Sequence, residues 1–281
     1  MQLRLTDKEQ TDFVVMQSIA EDCYIDTKET IGYPPVAISL GEMLIKSKMG
    51  DELLPIPISS YGNFSFIQAP PKTKKTFFIS LLASAYLGDT NHFVGDIKGH
   101  RKGRGVLHLD TEQGKWHCQR VFKRTLDMSG LKDNTDYHPF SLRTIGYKER
   151  IKFIDYCLEK KYADIGFLII DGVADLVSDV NNLQECNLVV QKIMEWSANF
   201  NLHIAVVIHS NFGSDKPTGH LGSLLEKKTE TQIQLETNTV NKEWVTVKCK
   251  RSRNFAFDTF SFSVNDIGYP YIVDNLYDPL G

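Results

Sequence analysis

From residue 64 onwards the chain alternates short apolar runs with longer stretches of helical periodicity. "FSFIQ" at 64–68, "GVLHLD" at 105–110, "YHPFSL" at 137–142, "IGFLIID" at 165–171 and "HIAVVIHS" at 203–210 read as strands. Between them, "TKKTFFISLLASAYL", "GKWHCQRVFKRTLDMSG", "KERIKFIDYCLEKKY" and "NNLQECNLVVQKIMEWSANF" read as helices. Such alternation predicts an α/β fold, a mainly parallel sheet flanked by helices on both faces. "TETQIQLETNTVNKEWVTVKCKRSRNFAFDTFSFSV" breaks the alternation. Its consecutive strands and turns predict C-terminal antiparallel hairpins that extend the sheet.

The first 60 residues follow a different pattern. Phe13, Val14, Met16 and Ile19 give "DKEQTDFVVMQSIAED" an apolar helical face. "YPPVAISLGEMLIKSK" reads as a proline-broken approach to another short helix, and "LLPIPISSYG" as an extended connector. The expected organisation is therefore a helical lead-in over 1–60, a main domain over 61–273 and a short acidic tail over 274–281. A chain of 281 residues with 42% hydrophobic content has enough material for one sizeable core. It lacks an apolar run of membrane-span length, and its polar N-terminus does not resemble a signal peptide. Five scattered cysteines without a C-x-x-C pair suit reduced thiols, so a cytoplasmic location is expected. A net charge of −3 argues against a passive polycationic coat, though not against a local basic path for nucleic acid.

Chemistry in such sheets gathers at the carboxyl ends of the strands. After the first strand comes "APPKTKKT", which has the spacing of the phosphate loop G-x-x-x-x-G-K-[ST] without its glycines. Ala69 and Lys74 stand at the glycine positions; Pro70, Pro71, Lys72 and Thr73 lie between them, and Lys75 and Thr76 keep the ending. Lys75 suits the β/γ-phosphates of ATP and Thr76 suits Mg²⁺, while two prolines remove backbone donors. Lys74 must either accept a left-handed backbone or re-route the loop, and its side chain could add a phosphate contact. The same residues suit a basic strand-to-helix turn with solvated lysines. Glu112 follows the second strand, where a carboxylate can polarise a water or simply open a helix. Asp171 ends a buried strand, as a carboxylate that supports Mg²⁺ does. His209 and Ser210 end the next. The order of all four features points to a nucleotide site more strongly than any one of them.

With these residues in place, the chain resembles the RecA-like P-loop NTPases over about residues 60–273, AAA-family ATPases with an altered phosphate loop, and among them the hexameric helicases of the DnaB and RepA type. "APPKTKKT" takes the place of Walker A, "LHLDTEQ" of the strand with the catalytic glutamate, "FLIIDGVADL" of Walker B and "VVIHS" of the sensor strand. The resemblance implies ATP and Mg²⁺ as cofactors, Glu112 orienting the attacking water, and His209 reporting phosphate loss. "VTVKCKRSRNFAF" looks like the strand whose basic end reaches a neighbouring subunit's ATP, which makes Lys250, Arg251 and Arg253 candidate trans-acting contacts. It further implies a homo-oligomer, as a hexameric ring or a filament, acting on single-stranded DNA with replication partners. Two basic stretches could touch the nucleic acid: "DIKGHRKGRG", with Lys98, His100, Arg101, Lys102 and Arg104, which suits a solvated connector at least as well, and "NFGSDKPTGHLGS", with Lys216 and His220. The expected function is ATP-driven, helicase- or translocase-like work in replication or mobilisation of a plasmid, phage or other mobile element. A nucleotide-binding regulator or loader with weak hydrolysis is the alternative.

Overall fold

The structure is a computed structural model that describes residues 7–47, 50–88, 93–210 and 216–273. Contacts divide the chain between Tyr33 and Pro34. The first part carries helix α1 (Asp7–Cys23), on which Phe13, Val14, Met16 and Ile19 are all exposed. The second part carries everything else. Its sequence alternation becomes β3 (Phe64–Ala69), α2 (Lys75–Leu87), β5 (Gly105–Asp110), α3 (Lys115–Ser129), β6 (Tyr137–Ser141), α4 (Tyr147–Tyr156), β7 (Ile165–Asp171), α5 (Leu183–Asn199) and β8 (His203–His209). Helix α6 (Gly219–Lys228) then leads to β9 (Thr231–Thr237), β10 (Val245–Ser252), β11 (Phe260–Val264) and β12 (Pro270–Val273).

Nine strands form one sheet in the order β12-β11-β10-β9-β3-β8-β7-β5-β6. The six from β9 to β6 run parallel, and β10, β11 and β12 extend the sheet by antiparallel pairing. This is the expected α/β architecture. The parallel strands β3, β5 and β7 are buried at every position, because helices cover both faces of the sheet. Phe78, Leu81, Leu82 and Tyr86 of α2 pack on one face with Phe167 and Phe262; Cys186, Val189, Ile193 and Trp196 of α5 pack on the other with Leu168 and Ile204. Local signals set the helix ends. The Asn182 side chain accepts from the amides of Gln184 and Glu185 to open α5, and Gly130, at φ 73°, closes α3.

Residues 36–60 differ from the expected helix and connector. They form the long antiparallel strands β1 (Val36–Ser47) and β2 (Gly50–Ser60), with β4 (Ile97–Gly99) on the other side of β1. The register shifts between Ser39 and Glu42, and Gly41 there adopts φ 74°, the signature of a bulge. Strand β2 lies at the edge of this small sheet, where Pro55 and Pro57 need not donate to a further strand. The hairpin thus belongs with the larger part of the chain, and the helical lead-in stops well short of residue 60. The expected tail over 274–281 lies outside the described residues. Among the described residues, no helix is long and apolar enough to cross a membrane.

Two histidines are wholly buried within this body. His203 donates from Nδ1 to the Ser60 carbonyl at 2.8 Å and meets the Ser65 hydroxyl through Nε2 at 2.9 Å. His108 shares a 2.8 Å hydrogen bond with the Tyr137 hydroxyl. Burial pushes His203 down to about 4 and His108 to about 3. Both rings stay neutral in the native state where the unfolded chain, titrating near 6.5, takes up protons. Stability from these two groups is therefore complete above pH ~6.5 and falls as the pH drops below it, by about 2 kcal/mol each by pH 5. Urea unfolding at pH 7 and pH 5 should show this loss, and His108→Phe, placed among Phe122 and Tyr137, should remove about half of it.

Candidate nucleotide site

Strand register brings the polar strand ends together. Ala69 pairs with His209, Val207 with Asp171 and Asp171 with Asp110, so β7 and β5 end level with each other and β3 and β8 run two residues further at the same edge. The loop from Pro70 to Lys74 leaves this edge and enters α2. Lys74 adopts φ 55°, ψ 32°, and Lys72 adopts φ 67°. The backbone thus takes the left-handed turn that glycine would make, with lysines in it, at a cost of about 1–2 kcal/mol per residue. The Thr73 hydroxyl donates to the Pro70 carbonyl at 2.9 Å and steadies the turn. The Lys74 side chain makes no capping bond at the start of α2, and Lys75, Thr76 and Phe77 of its first turn line the cleft at the positive end of the helix dipole.

The Lys75 ammonium donates to His209 Nδ1 at 2.8 Å and to the Pro70 carbonyl at 3.2 Å. His209 Nε2 lies 3.5 Å from a Glu112 carboxylate oxygen. A neutral imidazole protonated on Nε2 satisfies both contacts, accepting from Lys75 and donating to Glu112. The Glu112 carboxyl is held below its usual range, first by the hydrogen bond from His209 and also by the nearby Lys75 charge, against the effect of burial. Desolvation lowers the Lys75 pKa, while Glu112 and Asp171 oppose it.

The Thr76 hydroxyl donates to Asp171 Oδ2 at 3.1 Å. Burial, with Asp110 and Glu112 adding to it, pushes the Asp171 carboxyl up to about 7. A divalent cation beside Asp171 would reverse that penalty. The donor set fits Mg²⁺, which takes hard oxygens and uses one or two protein ligands plus phosphate and water. Among the described residues, no group of three or more His, Cys, Asp or Glu side chains could hold a metal without such help. Asp110 acts on the backbone instead. It accepts from the amides of Glu112 and Gln113 at 3.0 and 2.7 Å and fixes the turn that carries Glu112.

These side chains border a cleft of ≈ 480 Å³. Lys72, Thr73, Lys74, Lys75, Thr76, Glu112, Asp171 and His209 all line it. Ala69 is buried in the sheet, while Pro70 and Pro71 are exposed beside the turn and do not line the cleft. Helix α3 adds five residues that the sequence pattern did not single out: Trp116, Arg120 and Arg124, with His117 and Val121 beside them. Trp116 is 60% exposed, and the Arg120 guanidinium lies 4.9 Å from its ring centroid. Arg124 packs 4.1 Å over the Phe77 ring and donates to the Ser80 hydroxyl and the Thr76 carbonyl. Burial lowers its pKa to about 10, which leaves it charged at neutral pH. The four-residue spacing of Trp116, Arg120 and Arg124 puts all three on one helix face, a signal present in the sequence.

The model of the AAA domain family matches residues 53–215, more than half of the chain. The chain belongs to the AAA domain family. Membership supports nucleotide binding, usually with Mg²⁺, and ATPase activity in general. A solved structure described as the RadB recombinase superposes with a TM-score of 0.51 at 14% sequence identity, covering 74% of this chain and 90% of that one. That likeness is one of fold, and the fold is RecA-like. No curated protein sequence matches the chain.

The AAA-domain cleft does not include the basic trio of β10. Ser252 pairs with Thr231, and Thr231 with Ser65 at the start of β3, so Lys250, Arg251 and Arg253 lie at the opposite end of the sheet. Within one chain they do not reach the cleft. The stretch 96–105 is likewise occupied with structure. Arg101 pairs with Asp136 at 2.8 Å, His100 meets Ser39, and Arg104 donates to the carbonyls of Asn201 and Phe200 near the end of α5. A basic surface for nucleic acid is therefore not what most of these side chains make. Of the other basic stretch, residues 211–215 lie outside the described residues; Lys216 precedes Pro217, which bridges to Ser210, and His220 lies in α6.

Gly172 brings the turn after Asp171 against the turn that carries Glu112. It adopts φ 106°, and an added Cβ would meet the Thr111 hydroxyl at 2.2 Å and Glu112 Cγ at 2.9 Å. Gly172→Ala should cost about 2–3 kcal/mol in urea unfolding and displace Glu112. Retention of full stability would show that this approach is looser than described.

Proposed function

We propose that this protein is an ATP-hydrolysing motor of the helicase or translocase kind, acting on single-stranded DNA in the replication or mobilisation of a plasmid, phage or other mobile element. The observation that carries the reading is the meeting of Lys75, Thr76, Glu112, Asp171 and His209 around one cleft at the carboxyl edge of the sheet. Bound ATP with Mg²⁺ would supply the scissile phosphoanhydride and a divalent charge beside it. Lys75 would hold the terminal phosphates, exchanging its bond to His209 for a charge-assisted one. Thr76 and Asp171 would hold the cation. Glu112, kept ionised by His209, would orient a water and accept its proton. His209, in contact with both Lys75 and Glu112, would carry the change in phosphate contacts into β8 and the loop that follows.

The far position of Lys250, Arg251 and Arg253 supports assembly into a hexameric ring or filament, since these groups could reach a cleft only on another copy. A second reading, a nucleotide-dependent regulator or loader with slow hydrolysis, is favoured by one feature. Lys75 is already held by His209 and Pro70, and the loop before it carries two prolines. Steady-state ATP turnover with and without single-stranded DNA separates the two. The motor reading expects DNA-stimulated turnover, loss of ATP binding in Lys75→Ala, and a drop of about 10²–10⁴-fold in turnover for Glu112→Gln with binding retained. ATP binding that depends on Lys75, without turnover under either condition, would establish the regulator instead.

A further inference from the structure

We propose that Lys74 is a second phosphate-binding cation of this cleft, supplied by the residue that stands where the loop pattern has glycine, and that it couples ligand binding to the β9–β10 turn. The inference rests on the nucleotide-site reading above and deepens it.

The backbone gives the first reason. Lys74 occupies the left-handed region at φ 55°, which a residue with a Cβ disfavours. Glycine would take the same path without strain, so any benefit of lysine must come from its side chain. Lys74 is one of the residues that line the cleft.

The partner of the ammonium gives the second. Lys74 Nζ donates to the Glu243 carbonyl at 2.7 Å. This acceptor is fixed in a built turn: Asn238 Oδ1 accepts from the amides of Val240 and Asn241, and Asn241 Oδ1 accepts from that of Glu243. The carbonyl carries no formal charge, and among the described residues no ion pair involves Lys74. Lys75, one residue on, differs: Glu112 and Asp171 both act on its charge. Among the described residues, the same cleft holds Lys72, Arg120 and Arg124 against only those two carboxylates. Its charge balance calls for an anion.

A phosphate oxygen makes a stronger acceptor for an ammonium than a neutral carbonyl does. A nucleotide phosphate at the mouth of the loop would therefore draw Lys74 from Glu243 and free the turn over 238–244 from the phosphate loop. That turn continues into β10, the strand whose far end carries Lys250 and Arg251.

A lysine merely tolerated in place of glycine leads to the opposite expectation for one substitution. If Lys74 only occupies the turn, Lys74→Gly relieves strain and leaves ATP binding equal or tighter. If Lys74 binds phosphate, the same variant melts higher, by about 2–4 °C per kcal/mol relieved, yet binds ATP at least about tenfold more weakly and with less dependence on salt. The measurement is titration of a fluorescent ATP analogue into the full chain, beside thermal melts, for Lys74→Gly, Lys74→Met, Lys74→Arg and Lys75→Ala. The inference expects Met to lose affinity as Gly does, and Arg to stay within a few-fold of the native chain. Native-like or tighter binding by a stable Lys74→Gly protein overturns it. Lys75→Ala keeps the two levels apart: undiminished binding there removes the site reading itself, whereas loss there with full binding in Lys74→Gly removes only the role of Lys74. Hydrogen exchange over 238–244 should quicken on ATP addition in the native chain and not in Lys74→Gly.

Discussion

The register of four buried parallel strands is the constraint on which the rest depends. Ala69 opposite His209, Val207 opposite Asp171 and Asp171 opposite Asp110 gather the polar strand ends at one edge of the sheet, within two residues of a common level. Both faces of these strands are covered, so a slip of one residue would turn each side chain towards the opposite helix layer. Hydrophobic packing across two layers therefore fixes a polar arrangement to which it contributes no polar contact. Thr76 reaches Asp171, and Lys75 reaches His209, because α2 starts immediately above that edge. The electrostatic features follow: a carboxyl raised by burial beside a hydroxyl donor, and a second one held low by an imidazole.

The phosphate loop shows how far backbone path and residue identity can separate. Glycine is common in such loops because left-handed backbone and close approach favour it. Here the path survives at Lys72 and Lys74, and the strain is offset by the structure on either side. Strand β3 is buried throughout, and ten residues of α2, from Phe78 to Leu87, are buried. With both flanks so firmly placed, a few kcal/mol of local strain does not re-route the turn. The consequence is chemical. The glycine position held by Lys74 presents an ammonium group in place of bare backbone, Lys72 adds another, and the cleft becomes strongly cationic.

Much of this was legible in the sequence, for a physical reason. Buried parallel strands are continuous apolar runs that end abruptly in a polar residue, so "IGFLIID" and "HIAVVIHS" disclose both the element and the site residue. The β1–β2 hairpin was not legible. Leu40, Met43 and Leu44 suit a helix as well as a bulged strand, and Pro55 and Pro57 hide an edge strand. The contribution of α3 was encoded yet not read, since Trp116, Arg120 and Arg124 resemble an ordinary solvated face until the neighbouring strand ends are in place. The run from Lys98 to Arg104 misleads in the other direction. Its charges look like a binding surface, but Arg101 is committed to Asp136, His100 to Ser39 and Arg104 to carbonyls near the end of α5.

The same distinction between committed and available charge orders the trio at the end of β10. Arg253 donates to the carbonyls of Lys227 and Lys228 that end α6, and its own amide donates to the Glu230 carbonyl. Glu230 in turn accepts from Ser60 and Asn254, so Arg253 belongs to the packing that closes the far edge of the sheet. Drawing it away would expose helix-end carbonyls and a buried carboxylate together. Arg251 meets Glu226 at 3.8 Å with a side chain 67% exposed, an arrangement that contributes about 0–1 kcal/mol. If a basic group from one copy completes the cleft of another, Arg251 can leave its partner at much less cost than Arg253. Assembly would then draw on a charge that the fold does not need, while the charges it does need stay where they are.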